Sequence, residues 1–150
     1  ISILDLETGA ISTIPDQAGR NLNPQWSPDG ESLIFISDRT GTANLFLYDV
    51  AAEKHYQLTN LVGAVASFTE QSPAISWARL ADRLAFVHYD AGSYTVWSVD
   101  NPRLLKKQPF AIPAAIVAQA DTVRAPIAAD TAATRQRALA DRGMVTFDDT

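Results

Sequence analysis

Residues 23–60 read NPQWSPDGESLIFISDRTGTANLFLYDVAAEKHYQLTN and contain four strand-like segments separated by turn or loop residues. The segments span residues 25–27, 33–36, 45–50 and 58–59. Between the first two, proline presets φ at about −65° and glycine accepts a positive φ, so residues 28–30 predict a tight turn. Short runs of β-branched, aromatic and leucine residues between turn residues are typical of strands. The stretch therefore predicts a four-stranded unit.

The second segment, residues 33–36, is apolar throughout rather than alternating. A continuous apolar run of this length favours a strand that is covered on both faces. Aromatic residues at strand positions fit the same packing, and we predict that they fill the core between neighbouring sheets. These residues are Trp26, Phe35, Tyr48, Trp77, Phe86, Tyr94 and Trp97.

The pattern recurs along the chain. Residues 1–6 (ISILDL) match residues 45–50 (LFLYDV) at an offset of 44, which aligns Asp5 with Asp49. The later matches are residues 73–76 to 24–27 and 94–99 to 45–50, both at an offset of 49, and 84–87 to 33–36 at 51. The change from 51 back to 49 predicts a loop two residues shorter in the later copy. A repeat of about 40–50 residues with several strands is typical of β-propeller blades.

We therefore predict an all-β fold, a partial β-propeller of four-stranded antiparallel blades followed by a tail rich in alanine and proline. The roughly two and a half blades are a partial blade at residues 1–20, a full blade at 21–60 and a degenerate blade at 61–103. Propellers close with typically about 4–8 blades, so we expect a fragment whose partners include the remaining blades of a parent protein. The alternative is a self-contained small β domain.

The motifs of the middle blade carry a resemblance to a known family. The sequences WSPDG at residues 26–30, SDRTG at 37–41 and LFLYD at 45–49 resemble the TolB-like (WD-type) β-propeller repeat. The motif residues are Trp26, Ser27, Pro28, Asp29, Gly30, Ser37, Asp38, Arg39, Gly41, Tyr48 and Asp49. The resemblance covers residues 1–103 and implies the fold. Many activities occur on this fold, so the resemblance does not imply a reaction.

Residue types that support catalysis are sparse in this chain. It has no cysteine, and its two histidines, His55 and His88, lie outside any His-Glu-x-x-His motif. The sequence also lacks a Gly-x-Ser-x-Gly nucleophile turn and a glycine-rich phosphate loop. We therefore predict no catalytic residue, no metal ligand and no cofactor within the chain.

Two kinds of charged residue leave alternatives open. Aspartates recur at Asp5, Asp29, Asp49, Asp82 and Asp100. They could surround a cation at the propeller axis, but the sequence favours capping of turns through side-chain hydrogen bonds to the backbone. Arg39 could contact a ligand, although a structural role within its loop is the favoured interpretation.

The charge of the chain is uneven. Residues 1–100 carry twelve acidic and five basic side chains, a net charge of −7, whereas residues 101–150 carry five acidic and seven basic side chains. Nucleic-acid binding requires a basic surface, so we predict no nucleic-acid partner. The sequence contains no run of 18 apolar residues, so we predict no membrane insertion by this chain.

The composition changes near residues 101–103, after which only Phe110 and Phe147 are aromatic. Residues 104–129 have few large apolar groups and are predicted to be a mostly extended linker, with the alternative that residues 110–112 pair as one more short strand. Residues 130–142 are rich in helix formers. We therefore expect residues 130–150 to hold a short helix and the start of a further element.

The TolB-like repeat also occurs in tricorn-type proteases, in propellers of prolyl-oligopeptidase-like enzymes and in large bacterial surface proteins. The resemblance implies a non-catalytic segment of a larger bacterial-type extracytoplasmic protein that binds a protein or peptide partner. The alternative is an accessory propeller that gates substrate for a peptidase of prolyl-oligopeptidase, tricorn or zinc-peptidase type, with catalytic residues outside this chain. The implied location is the periplasm or the cell surface, with the cytoplasm possible for a tricorn-like protein.

Overall fold

A computed structural model describes residues 1–67, 69 and 72–112, which form ten β-strands and one short 3₁₀ helix. The strands are β1 (Ser2–Leu4), β2 (Ile11–Thr13), β3 (Asn21–Trp26), β4 (Ser32–Ser37), β5 (Asn44–Asp49), β6 (Lys54–Gln57), β7 (Ala64–Val65), β8 (Ile75–Trp77), β9 (Arg83–Asp90) and β10 (Ser93–Asp100), and the 3₁₀ helix spans Pro102–Leu105. The described residues include no helix long and apolar enough to cross a membrane. The predicted linker beyond residue 112 and the predicted helix at 130–142 lie outside the described residues.

The middle blade is an antiparallel sheet in the order β3-β4-β5-β6. Ser32 pairs with Asp49 and Ser37 with Asn44, so β4 and β5 align along their full length. The turn between β3 and β4 contains Gly30 at φ +76°, a conformation that glycine adopts readily. The all-β propeller fold predicted from the sequence is confirmed by this sheet and by its two neighbours.

Both faces of the middle blade are covered. All six residues of β4 are buried, and successive side chains of a strand point to opposite faces. Phe35 packs with Phe46 and Ile14 toward the first hairpin, while Ile34 packs with Leu84 toward the third blade. The continuous apolar run therefore has the physical cause that the sequence predicted.

The first partial blade is the hairpin of β1 and β2. Ser2 pairs with Thr13, as Phe46 pairs with Gln57 in the middle blade. Both members of the second pair lie 44 residues after those of the first, which is the offset read from the sequence. This hairpin supplies only the outer two strands of a blade, and Ile3 packs it against the middle blade.

The third blade has a split first strand. β7 and β8 both pair with β9, side by side along the same edge, and β10 lies on the other edge. Val65 pairs with His88 and Ile75 pairs with Phe86. The first strand therefore advances ten residues where its partner β9 advances two. The equivalent place in the middle blade is a β-bulge between Leu22 and Gln25, where β3 advances three residues and β4 advances two. Residues 66–74 are thus an insertion that the sequence analysis missed.

The register of the third blade confirms the match of residues 84–87 to 33–36 at an offset of 51 and contradicts the two matches at 49. Trp26 pairs with Leu33 and Trp77 with Leu84, so these tryptophans are equivalent at an offset of 51. The pairing of Asp100 with Arg83 keeps the same offset through β10. The offset of 49 was wrong, because a slip of two residues leaves every side chain on its predicted face.

The sequence alignment predicts a loop before β10 that is two residues shorter than the loop between β4 and β5. The structure contradicts this prediction, because the two connections have the same length between equivalent paired residues. The ladder continues to the pair of Asp90 and Ser93, and a two-residue turn at Ala91 and Gly92 closes it. Both turn residues have positive φ values, 47° and 83°. A two-residue turn of this kind matches the twist of the strands it joins.

The prediction of aromatic core residues was right for Phe35, Tyr48, Trp77 and Phe86, which are all buried, and wrong for three others. Trp26, Tyr94 and Trp97 are 46%, 40% and 56% exposed. Trp26 lies on the face of β3 toward the first hairpin, and among the described residues no inner strand pairs with that hairpin to cover it. Tyr94 and Trp97 lie on β10, and the described residues place no fourth strand beside it.

After β10 the chain returns to the middle blade, and we call residues 101–112 the strap. The side chain of Lys106 pairs with Asp49 at 3.1 Å. The amide of Phe110 donates to the carbonyl oxygen of His55 at 2.7 Å. Residues 104–112, the first part of the segment predicted as a mostly extended linker at 104–129, therefore contact the middle blade, and Phe110 supplies an apolar anchor. Residues 110–112 make this contact without forming the alternative short strand.

Replacing Phe35 by alanine should lower the free energy of unfolding by about 3–5 kcal/mol, because the change empties a fully buried site between two sheets. Trp26→Ala removes a larger side chain from a half-exposed position and should cost less than half as much. Urea unfolding followed by circular dichroism measures both. Equal losses would contradict the exposed placement of Trp26.

Two glycines give a second matched pair. A Cβ on Gly63 would lie 2.3 Å from the carbonyl oxygen of Tyr89, whereas nothing lies within 4 Å of one on Gly30. Both residues have positive φ, which costs about 1–2 kcal/mol for alanine. Gly63→Ala should therefore lower the thermal midpoint clearly further than Gly30→Ala. If Gly30→Ala lowered the thermal midpoint further, the prediction would be wrong, because the atoms around Gly63 would then move aside at little cost.

Candidate functional site

The motif residues at 26–30 build the turn between β3 and β4. The hydroxyl of Ser27 donates to Asp29 at 2.6 Å and accepts from the amide of Ser32 at 2.9 Å. The amide of Gly30 donates to the Ser27 carbonyl at 3.0 Å, and Pro28 occupies the first central position of this turn. The Ser27 hydroxyl and the Gly30 amide are both used within the turn, so the geometry indicates a structural role for these residues.

Arg103 of the strap joins the turns of two blades. Its guanidinium forms ion pairs with Asp29 of the middle blade and, at 2.7 Å, with Asp82 of the third. The Ser27 hydroxyl, the Glu31 amide and then Arg103 lower the pKa of Asp29 to about 2. The carboxylate of Asp29 is therefore stabilised by the hydrogen bonds and the ion pair that it forms in the folded chain.

The recurrent aspartates cap turns or pair with arginine. Asp5 accepts from the amide of Thr8 at 2.9 Å, and Asp49 accepts from the amide of Ala52, also 44 residues later, at 3.1 Å. These backbone hydrogen bonds lower the pKa of both carboxyls. Asp100 instead pairs with Arg83. Within the part of the chain that the structure describes, no three acidic or histidine side chains gather as a metal site would require.

The SDRTG motif forms the loop between β4 and β5, and Arg39 turns inward from it. The Arg39 side chain is 3% exposed. Its Nε donates to the Ser37 hydroxyl and its Nη2 to the Asn21 side chain, both at 2.9 Å. The guanidinium lies 4.8 Å from the centre of the Phe46 ring and 5.3 Å from that of Phe35. Burial lowers the pKa of Arg39 to about 10.

The other loop residues of the motif shape the backbone around Arg39. Asp38 accepts from the amide of Arg20 at 2.7 Å, which ties the loop to the segment before β3. The amide of Gly41 donates to the Asp38 carbonyl at 2.8 Å and closes the loop at a φ of +91°. These contacts hold Arg39 in its buried position.

The two histidines lie apart from one another. His55 is buried beside Tyr48, with ring centres 5.0 Å apart, and its Nε2 donates to the Pro15 carbonyl at 2.8 Å. Burial lowers the pKa of His55, which favours the neutral ring. His88 donates to the Val62 carbonyl at 2.7 Å. Each ring thus binds a segment that connects two successive blades, His55 at Pro15 and His88 at Val62.

The least regular part of the described chain lies where the first strands of the two blades meet, and we call it the channel-side rim. In a propeller the blades surround a central channel, and the first strand of each blade faces it. Asn23 sits in the bulge of β3 at φ +51° and accepts from the amide of Ala74 at 2.7 Å, which links the blades. The inserted residues carry the hydroxyls of Ser67, Thr69 and Ser72, two of which bond to each other at 2.7 Å.

A cavity of about 390 Å³ opens at this rim. It is lined by Arg20, Leu22, Asn23, Ile36, Ala43, Val65, Ala66, Ser67 and Thr69. The lining combines apolar side chains with a few polar ones, a composition typical of binding clefts. The sequence analysis missed this rim, although the repeat offsets carry a signal for it. The offset is 44 residues from the first blade to the middle blade and 51 from the middle blade to the third. The difference of seven residues is the length that the insertion adds to the third blade.

Residues 1–108 match the family described as the dipeptidyl peptidase IV (DPP IV) N-terminal region. The chain belongs to this family. The match covers the three blades and most of the strap. It agrees with the TolB-like β-propeller resemblance, which solved structures and curated relatives also support.

TolB from Acinetobacter baumannii is 26% identical, with a TM-score of 0.52 over 65% of this chain and 23% of that chain. A putative TolB from Agrobacterium tumefaciens, 24% identical, shares the fold with a TM-score of 0.52 over 66% of this chain and 36% of its own. An uncharacterised protein of Agrobacterium fabrum is 30% identical over 101 residues, which are 67% of this chain and 30% of that protein.

The Tol-Pal system protein TolB of Gluconobacter oxydans is 31% identical over 64 residues, which are 43% of this chain and 14% of that protein. The chain thus spans less than a third of the length of the two curated relatives it matches.

The carboxyl group of Asp29 should make the stability of the fold depend on acid pH. Its pKa is about 2 in the folded chain against an ordinary value of 3.8. The charged form therefore stabilises the fold above pH 3.8, and this contribution is lost as the pH falls toward 2. Asp29→Asn should flatten this part of the stability profile, measured as the urea midpoint between pH 2 and 7.

Glu31→Gln is the matched control, because it removes the same charge from the same turn without removing a contact to Arg103. We expect this variant to follow the wild-type profile. Parallel profiles for wild type and Asp29→Asn would contradict the role of Asp29.

Proposed function

We propose that the chain is a non-catalytic β-propeller segment that holds a protein or peptide partner at its channel-side rim. The observation that carries this proposal is the insertion between β7 and β8 beside the bulge of Asn23, whose described residues 66, 67, 69 and 72–74 add hydroxyls outside the strand ladder on the channel side. Irregular segments on a rigid scaffold are the usual place for binding residues. The regular strands of both blades supply that scaffold.

The cavity suits one apolar side chain of an extended partner. Its volume of about 390 Å³ lies near the lower end of ligand sites, about 300–1,000 Å³. Leu22, Ile36 and Val65 supply apolar lining, and Ser67 and Thr69 supply polar lining that can meet the backbone groups of a peptide. The net charge of −7 over residues 1–100 favours a neutral or basic partner over nucleic acid.

The open faces of the outer blades fit the remaining blades of a larger propeller. Leu4 and Ile11 of the first hairpin are 54% and 72% exposed, and Val96 of the third blade is 76% exposed. Exposed apolar sheet faces of this kind normally pack against another element. We infer that the parent protein supplies these elements and acts in the periplasm or at the cell surface, as its likeness to TolB suggests.

A second candidate function is favoured by the family match itself. The family is described by the N-terminal region of a dipeptidyl peptidase. In this alternative the propeller gates or positions substrate for a peptidase domain, and the catalytic residues lie outside these 150 residues. The same rim would then contact substrate during entry.

A displayed peptide library tests the first function. Peptides selected on the chain should bind Ser67→Trp at least tenfold more weakly, because the indole fills the cavity. Ala51→Trp adds the same group to an exposed turn at the other end of the blade and should leave affinity unchanged. Equal binding by both variants, or no enriched peptide, would overturn the proposal. Slower peptide hydrolysis by a Ser67→Trp parent protein would instead support the gating function.

A further inference from the structure

The outer edge of the middle blade carries an aromatic pocket that the strap occupies. The ring of Phe110 meets the Phe46 ring edge-on, with centres 5.2 Å apart. The guanidinium of Arg39 lies 5.8 Å from the Phe110 ring centre, and the Phe110 amide bonds to His55 of strand β6. We call the site formed by Arg39, Phe46 and the His55 carbonyl the strap pocket. An extended segment with an aromatic anchor therefore already binds here.

The strap fills this edge incompletely. A groove of about 720 Å³ runs between the end of β6 and the strap. Its walls are Thr40, Gln57, Leu58, Thr59 and Asn60 on the blade side and residues 107–111 on the strap side. Two neighbouring strap residues, Leu104 and Leu105, are 82% and 36% exposed. The strap is held at a few points and leaves room for a different chain along the same edge.

The strap also leaves polar groups of the pocket residues unsatisfied. Within the described residues, Arg39 Nη1 and His55 Nδ1 are buried without a hydrogen-bond partner. Asp16 acts on the Arg39 charge only at longer range, and no carboxylate pairs with that guanidinium in the described part. A buried donor without a partner destabilises a fold, most of all when the group is charged. The strap supplies the aromatic ring but no counter-charge.

We propose that the strap pocket binds an extended peptide of a partner protein that ends in an aromatic residue with a free carboxylate. The aromatic ring takes the place of Phe110, the carboxylate pairs with Arg39, and the strap is the intramolecular competitor. Arginine pairs strongly with carboxylates, often through two parallel hydrogen bonds. The site lies on the outer edge of the blade, so it is independent of the channel-side rim.

The test uses a labelled probe peptide, Lys-Lys-Gln-Pro-Phe with a free carboxylate, which repeats the sequence of residues 106–110. Fluorescence polarisation measures its binding to wild type and to Phe110→Ala. The variant should bind at least tenfold more tightly, because its strap has lost the competing anchor. Leu104→Ala changes an exposed strap residue and should bind as wild type does. Equal affinity for wild type and Phe110→Ala would overturn the competition.

Two further probes test the chemistry on Phe110→Ala. Replacing the final Phe of the peptide by Ala should abolish binding, and unchanged binding would exclude an aromatic pocket. The same peptide with a C-terminal amide should bind about tenfold more weakly, because a hydrogen bond to a charged group is lost. Equal affinity of acid and amide would overturn the pairing with Arg39. The comparison leaves Arg39 unchanged, so its outcome does not depend on whether an Arg39→Met variant folds.

Discussion

The burial of β4 and β5 between two neighbours is the constraint on which the rest of the structure depends. Ile34, Phe35, Phe46 and Leu47 are fully buried, and alternation along each strand commits every side chain to one neighbour. Close packing on both faces leaves little freedom for the strands themselves. Variation is therefore confined to the turns, to the bulge and insertion of the first strands, and to the strap.

The functional proposals rest on these irregular parts for a physical reason. A regular ladder uses its backbone donors and acceptors internally, whereas a bulge or insertion leaves some of them available. At the channel side, the Asn23 side chain links two blades, and residues of the insertion line a cavity together with apolar side chains. At the outer edge, Arg39 is buried against aromatic rings with one nitrogen unmatched. At both places a rigid strand scaffold presents a feature that a partner could bind, a cavity at the channel side and, within the described residues, an unpartnered guanidinium nitrogen at the outer edge.

Local patterns predicted the turn at residues 28–30, the two-sided middle blade and the family. They failed at Trp26, because its exposure depends on an inner strand that the first hairpin lacks. They also failed at the third blade, since offsets of 49 and 51 place the same residues on the same faces. Phe110 falls within the predicted linker, although its ring packs against Phe46 and Arg39 and helps to hold the strap on the middle blade.

The amino-acid sequence by itself determined the strands, the turn chemistry of Pro28 and Gly30, and membership of a propeller family, because these follow from local propensity and from a repeat visible along the chain. Tertiary structure decided between the offsets of 49 and 51, and it alone decided the split first strand, the exposure of Trp26 and the position of Phe110. Each of these depends on which distant segment lies alongside. A pattern with a period of two residues carries no information on that choice.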